Sequence, residues 1–157
     1  MSEDKTNVMR VLDQKKVPYK PHQYPHGSDA VDAETVAALI GADPAAVFKT
    51  LVTRGASKTN YVFVIPALAE LELKKAAQSV GEKSIDLLPL KELTPLTGYV
   101  RGGCSPIGMK KRFRTVIDEA ALLRDALIVS AGRIGHQVEL KPEALAELIG
   151  AAFADVT

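Results

Sequence analysis

Lys49 stands inside an apolar run, Val47-Phe48-Lys49-Thr50-Leu51-Val52. Such a run reads as a strand, and strand side chains alternate. Phe48, Thr50 and Val52 then share one face, while Lys49, Leu51 and Thr53 share the other. Two readings stay open for the lysine. It is an edge charge reaching solvent, or it sits in a concave, partly desolvated site where a phosphate or carboxylate holds it charged. A second candidate is the loop Gly102-Gly103-Cys104-Ser105-Pro106-Ile107-Gly108. Adjacent glycines let backbone N–H groups approach a substrate closely, where they can hold a carbonyl oxygen that turns negative during acyl transfer. A tight turn with no chemistry explains the same residues. The loop lacks the G-x-x-x-x-G-K-[ST] phosphate-loop pattern and the dinucleotide fingerprint.

Ser130-Ala131-Gly132-Arg133 closes the apolar run Leu127-Ile128-Val129. Ser130 and Gly132 at a strand end can line a pocket floor, and Arg133 can meet a phosphate; an ordinary strand-to-turn transition is the alternative. Ser130 has no G-x-S-x-G elbow, so it does not read as a nucleophile. Cys104 has no assignable base partner and reads as a small packed thiol. His22, His26 and His136 form no triad or ligand pattern and read as surface residues. Three histidines and one cysteine, widely spread, match no metal-ligand spacing, so neither metal nor other cofactor is expected.

The elements that must position these residues can be read from periodicity and caps. A first helix is expected over Lys5 to Lys16, with Val8, Val11 and Leu12 on one face, ended by Pro18 and Pro21. Tyr19 to Asp29 is expected to be extended or looped. Asp32 caps a second helix that closes at Gly41, and Asp43-Pro44 opens a short turn. Strands follow at Phe48 to Arg54 and Tyr61 to Pro66, joined by Gly55 to Asn60. Leu71 to Val80 is helical, Ile85 to Leu88 is a short strand, and Leu90 to Leu96 is a weak helix. Thr115 to Asp118, Leu127 to Ser130 and Gln137 to Leu140 are three more strands, before a last helix from Pro142 to near Gly150. Hairpin-length connections dominate, which predicts a mixed α+β fold, its sheet largely antiparallel and surrounded by helices.

At 157 residues, with 46% hydrophobic and 25% charged residues, the chain is expected to form one domain, 1–157, with enough apolar material for a core. The N-terminus lacks the apolar region of a secretory signal, and no apolar run spans a bilayer, so a cytoplasmic location is expected. A single cysteine excludes an internal disulfide. The net charge of +1 says little, but Arg101 to Arg114 carries five cations (Arg101, Lys110, Lys111, Arg112, Arg114) and no carboxylate. Lys110, Lys111 and Arg112 are candidate phosphate contacts for a nucleic acid; a solvated basic loop is the alternative.

Taken in order along the chain, these pieces resemble the YbaK/EbsC-type Cys-tRNA(Pro) deacylases, relatives of the editing domain inserted in bacterial prolyl-tRNA synthetases. The resemblance covers nearly the whole chain. It runs from the opening helix into Val17-Pro18-Tyr19, through Tyr24, and from Val36 to Gly41 into Asp43-Pro44 and Val47-Phe48-Lys49-Thr50-Leu51. It continues through Leu71-Glu72-Leu73-Lys74-Lys75-Ala76 and the block Thr97 to Lys111. Val129-Ser130-Ala131-Gly132-Arg133 and Val138-Glu139-Leu140 complete it.

That resemblance implies a barrel-like sheet with a small pocket for the aminoacylated end of proline tRNA. Lys49 matches the family's essential lysine and Gly102 its functional glycine, with the Gly102/Gly103 backbone cradling the ester carbonyl. Tyr24, Thr50 and Ser130 match residues that hold the aminoacyl-adenosine end. Gln137 departs from the pattern, standing where some Cys-specific members carry aspartate. The implied reaction is substrate-assisted: the cysteine thiol attacks its own ester, so the protein needs no nucleophile. Prolyl-tRNA synthetase is an expected partner. Two alternatives remain: a deacylase for another amino acid, such as Ala-tRNA(Pro), using water, and a non-catalytic tRNA- or synthetase-binding module.

Overall fold

The computed structural model describes residues 5–25 and 32–157. The last four residues of the expected Tyr19–Asp29 segment, with His26, therefore lie outside the described residues. Helix α1 spans Asn7–Gln14, shorter than expected at both ends. Thr6 caps it, its hydroxyl accepting from the Met9 N–H at 3.2 Å, and Val8, Met9 and Leu12 are buried. The polar segment after Pro18 forms a strand, β1 (Lys20–Gln23). Helix α2 (Ala33–Ile40) starts at the Asp32 cap and stops at Gly41, which is left-handed at φ 71°. A 3-10 turn, Pro44–Ala46, then leads into the central hairpin of β2 (Phe48–Gly55) and β3 (Asn60–Pro66).

The remaining α-helices and strands are α3 (Leu73–Val80), β4 (Ile85–Leu87), α4 (Leu93–Thr97), β5 (Arg114–Asp118), β6 (Leu127–Ser130), β7 (His136–Leu140), α5 (Pro142–Ile149) and β8 (Ala152–Ala154), with further 3-10 turns at Leu90–Glu92 and Glu119–Leu123. Five strands form one sheet in the order β4-β2-β3-β5-β8, and three form a second in the order β1-β7-β6. Four of the six ladders are antiparallel; β3–β5 and β5–β8 are parallel. The α+β class and the largely antiparallel pairing are as expected, but the strands divide into two sheets joined by one parallel bridge, Val47 to Ile128. β8, which has only three residues, was not anticipated from the sequence.

Apolar side chains fill the space between the sheets. Phe48, Val64 and Ile117 meet Leu127, Val129, Val138 and Leu140, with α1 and α5 contributing Leu12 and Leu145. The opposite face of the larger sheet, Phe63, Ile65 and Val116, is covered by Ala76, Ala77 and Val80 of α3. Burying both faces explains why β2 and β3 are almost continuously apolar. The parallel β3–β5 ladder requires a long crossover. That crossover carries α3, β4 and α4, and brings the glycine loop back against the sheets. No helix among the described residues is long and apolar enough to cross a membrane.

Candidate functional site

Sheet edges decide where the site opens. On one edge β2 pairs with β3 over Phe48–Arg54, while on the other β4 pairs only with Thr53–Gly55. On that second edge the first half of β2 has no strand partner among the described residues beyond the Val47–Ile128 bridge. A cavity of about 330 Å³ occupies that gap. The first residues of β2, Val47 to Thr50, form one wall. Ser130 at the end of β6 and Gln137 on β7 form another, directly opposite each other in register. Tyr24, following β1, closes a third side, with Asp32, Ala33 and Val36 of α2. Gly102 and Cys104 of the glycine loop complete the lining.

Lys49, Thr50, Gly102, Tyr24 and Ser130 therefore meet in one place, although they are spread over more than a hundred residues of sequence. Strict alternation puts Lys49 and Thr50 on opposite faces of β2, yet both line the cavity because it opens at the strand's bare edge. Lys49 is half-buried and takes part in none of the ion pairs among the described residues. The Thr50 hydroxyl is buried and has no hydrogen-bond partner. A buried polar atom without a partner is costly; here it lies in a ligand-sized cavity. Ser130 Oγ accepts from the Gly132 N–H at 3.1 Å, which leaves its own proton to donate elsewhere. Gly102 is left-handed at φ 85°, a conformation that favours glycine.

Cys104 is buried, and that burial pushes its thiol up to about 12. At neutral pH it is a neutral thiol rather than the thiolate a nucleophile requires. Tyr99 beside it is likewise pushed up to about 12, chiefly by burial. Its hydroxyl donates to the Ile107 carbonyl and pins the glycine loop.

Gly103 and Gly132 do not line the cavity. A Cβ on Gly103 would stand 3.2 Å from the Ile134 backbone nitrogen, so this glycine lets the loop press against the β6–β7 turn. A Cβ on Gly132, where φ is 96°, would meet Tyr99 and Val8 at 3.1 and 3.2 Å. Both glycines hold the walls together from behind. Arg133 lies on the far side of that turn, lining a separate groove with Lys5 and Arg10.

The basic block has structural partners that its sequence does not reveal. Lys110 Nζ reaches the Pro95 carbonyl in α4 at 3.4 Å. Arg114 Nη1 donates to the Val80 carbonyl at the end of α3, at 3.3 Å. The Arg112 guanidinium packs over Gly150, the left-handed residue ending α5. Three of these cations thus serve helix C-termini, where the macrodipole favours positive charge. Lys111 and Arg112 line a groove distinct from the cavity. Asp32, expected from the sequence only as a helix cap, also lines the site. His22, expected at the surface, has a largely buried side chain with Nε2 2.7 Å from Glu139 Oε1, and His136, expected there too, is buried.

Residues 27–148 match the family model of the aminoacyl-tRNA editing domain. EbsC of Enterococcus faecalis, described as a candidate Cys-tRNA(Pro)/Cys-tRNA(Cys) deacylase, is 48% identical over 156 residues, 99% of this chain and 95% of that protein. The uncharacterised YwhH of Bacillus subtilis is 26% identical over 120 residues, 76% of each chain. Among solved structures, a candidate trans-editing enzyme for prolyl tRNA synthetase superposes with a TM-score of 0.86 at 25% identity, covering 100% of this chain and 98% of that one. A hypothetical protein gives the same TM-score and identity over 96% and 99% of the two chains. With the cavity, its lysine and its glycine loop in the places described, the chain belongs to the aminoacyl-tRNA editing domain family.

Proposed function

We propose that this protein is a trans-editing deacylase that frees proline tRNA from wrongly attached cysteine, the nucleophile being the substrate's own thiol. The observation that carries the reading is the cavity itself. It gathers Lys49, an unsatisfied Thr50 hydroxyl, Ser130 and a glycine backbone, while the chain's one cysteine is held there as a neutral thiol. Those groups can position and polarise an ester without attacking it. The described relatives, a candidate deacylase and a candidate trans-editing enzyme, point to the same substrate class.

In this reading the aminoacylated 3′ end of the tRNA enters the cavity, whose volume is in the range of small-molecule sites. Lys49 anchors the phosphate of the terminal nucleotide. Tyr24, Thr50 and Ser130 hold the adenosine and its ester, and the Gly102 backbone stabilises the carbonyl oxygen as it becomes negative. The cysteinyl thiolate attacks the ester carbon, forming a carbon–sulfur bond as the carbonyl electron pair moves to oxygen. Collapse breaks the bond to the ribose oxygen, which takes up the proton the thiol gave up. Free tRNA and a cyclic thiolactone result, and water opens the thiolactone outside the enzyme. Catalysis is then orientation plus electrostatic stabilisation. Prolyl-tRNA synthetase is the proposed source of the mischarged substrate.

Lys49→Ala tests the assignment. It should lose about a hundredfold in single-turnover deacylation of Cys-tRNA(Pro), the scale of a lost charge-assisted contact of about 3 kcal/mol, with an unchanged circular dichroism spectrum. A folded variant with near-wild-type rates would remove Lys49 from the site.

A further inference from the structure

The cavity that holds Lys49 also holds a charge of the opposite sign. Asp32 is the one carboxylate among its described lining residues. The two are not neutralised by each other, since neither occurs in the ion pairs of the described residues. Asp32 is also fixed in place: as N-cap of α2, its Oδ1 accepts from the Thr35 N–H at 2.8 Å. The Thr35 N–H, followed by the Thr35 side chain, holds the carboxyl below its usual range, so it stays ionised at working pH. The Thr35 N–H engages Oδ1, and the carboxylate, exposed at the rim of the cavity, keeps lone pairs that the N–H groups of a ligand can reach.

Gln137 on the wall formed by β7 is neutral and buried, so it cannot balance a cation. Tyr24, Thr50, Gly102 and Ser130 are neutral as well. The described cavity thus presents one fixed negative charge and one positive charge, unpaired. A ligand carrying both signs satisfies both. The end of an aminoacyl-tRNA is such a ligand, with a phosphate and, on the aminoacyl group, an α-ammonium. The N-terminus of α2 would by itself favour the phosphate. Asp32 occupies that end and repels it, which sends the phosphate to Lys49 and the ammonium to Asp32.

Building on the deacylase reading, we propose that Asp32 binds the α-ammonium group of the aminoacyl ester, making a free amine a condition for entry. The site then rejects N-acylated esters, including peptidyl-tRNA, because an amide nitrogen has no charge to offer and leaves the carboxylate unmatched.

Asp32→Asn separates the charge from the cap, because asparagine caps helices as well as aspartate. The probes are 3′-cysteinylamido-3′-deoxyadenosine 5′-phosphate, whose amide link resists transfer, and its N-acetyl derivative, with affinities read by calorimetry. The wild-type protein should bind the free-amine compound at least about tenfold more tightly, as for a charge-assisted contact. In Asp32→Asn that preference should fall to about twofold or less, with the thermal midpoint unchanged. The same preference in both proteins, or none in the wild type, overturns the inference. Binding of neither compound by the wild type overturns it together with the deacylase reading. A wild type that prefers the free amine yet leaves Cys-tRNA(Pro) intact supports the Asp32 assignment and removes only the proposed substrate.

Discussion

Thr50→Val should make the protein more stable and less active at once. The Thr50 hydroxyl is buried in the cavity wall with no hydrogen-bond partner, while Thr50 itself is in register with Val64, and its neighbours Lys49 and Leu51 with Ile65 and Phe63, across the β2–β3 ladder. An unsatisfied buried polar group costs about 1–3 kcal/mol, and an apolar group of the same outline removes that cost. Valine keeps the branched shape and suits a strand. Taking the low end, about 1 kcal/mol of gain raises the midpoint by about 2–4 °C in a domain of this size. If the hydroxyl is kept for the substrate, its loss removes one hydrogen bond from the bound complex. A bond worth about 1 kcal/mol corresponds to roughly a fivefold loss in kcat/KM. Differential scanning calorimetry and single-turnover deacylation, run on the same preparations, read both effects. A lowered midpoint with unchanged turnover would refute the reasoning, since Thr50 would then be a structural hydroxyl.

Gly102→Ala should be costly in both respects. A φ of 85° strains any residue with a Cβ by about 1–2 kcal/mol, so the midpoint should fall by several degrees. The rate should fall further, by at least about tenfold beyond what unfolding explains, as for a disturbed oxyanion donor; a destabilised variant with an intact rate would clear the glycine of a catalytic part. Cys104→Ala should keep most of its activity, and a covalent acyl-enzyme trapped on Cys104 would contradict this. Because the folded thiol titrates at about 12 against an ordinary 9.0, its contribution to stability is complete below pH 9 and is lost as the pH rises towards 12. Cys104→Ala should therefore show a flatter alkaline stability curve, and a curve identical to wild type would place the thiol in solvent.

What could be read from the sequence follows a physical pattern. Helix ends at Gly41, Gly81 and Gly150 were legible because a left-handed residue there is local chemistry. The β2–β3 hairpin was legible because two apolar runs flank a polar link. The meeting of Lys49 and Thr50 in one cavity was not, since alternation separates them and only the shortness of β4 leaves their edge bare. Gly103 and Gly132 stand close against the Arg133–Ile134 backbone and Tyr99, contacts between segments that sequence spacing does not bring together. Lys110, Arg112 and Arg114 form one run in sequence, while Lys110 and Arg114 reach carbonyls of α4 and α3 and Arg112 stands beside Gly150. Charge runs show where cations are, and only the packed fold shows what they face.

The central claim is that the attacking thiol arrives with the substrate. Deacylation of proline tRNA charged with cysteine or with serine, at one pH and with a thiolactone trap present, tests it most directly. Replacing sulfur with oxygen changes the side chain's size slightly but raises the nucleophile's pKa by several units, removing the anion that attacks. Rapid release of cysteine with trapped thiolactone is expected, and release of serine slower by orders of magnitude. Equal rates for the two esters, with no thiolactone, would make water the attacker and contradict the account.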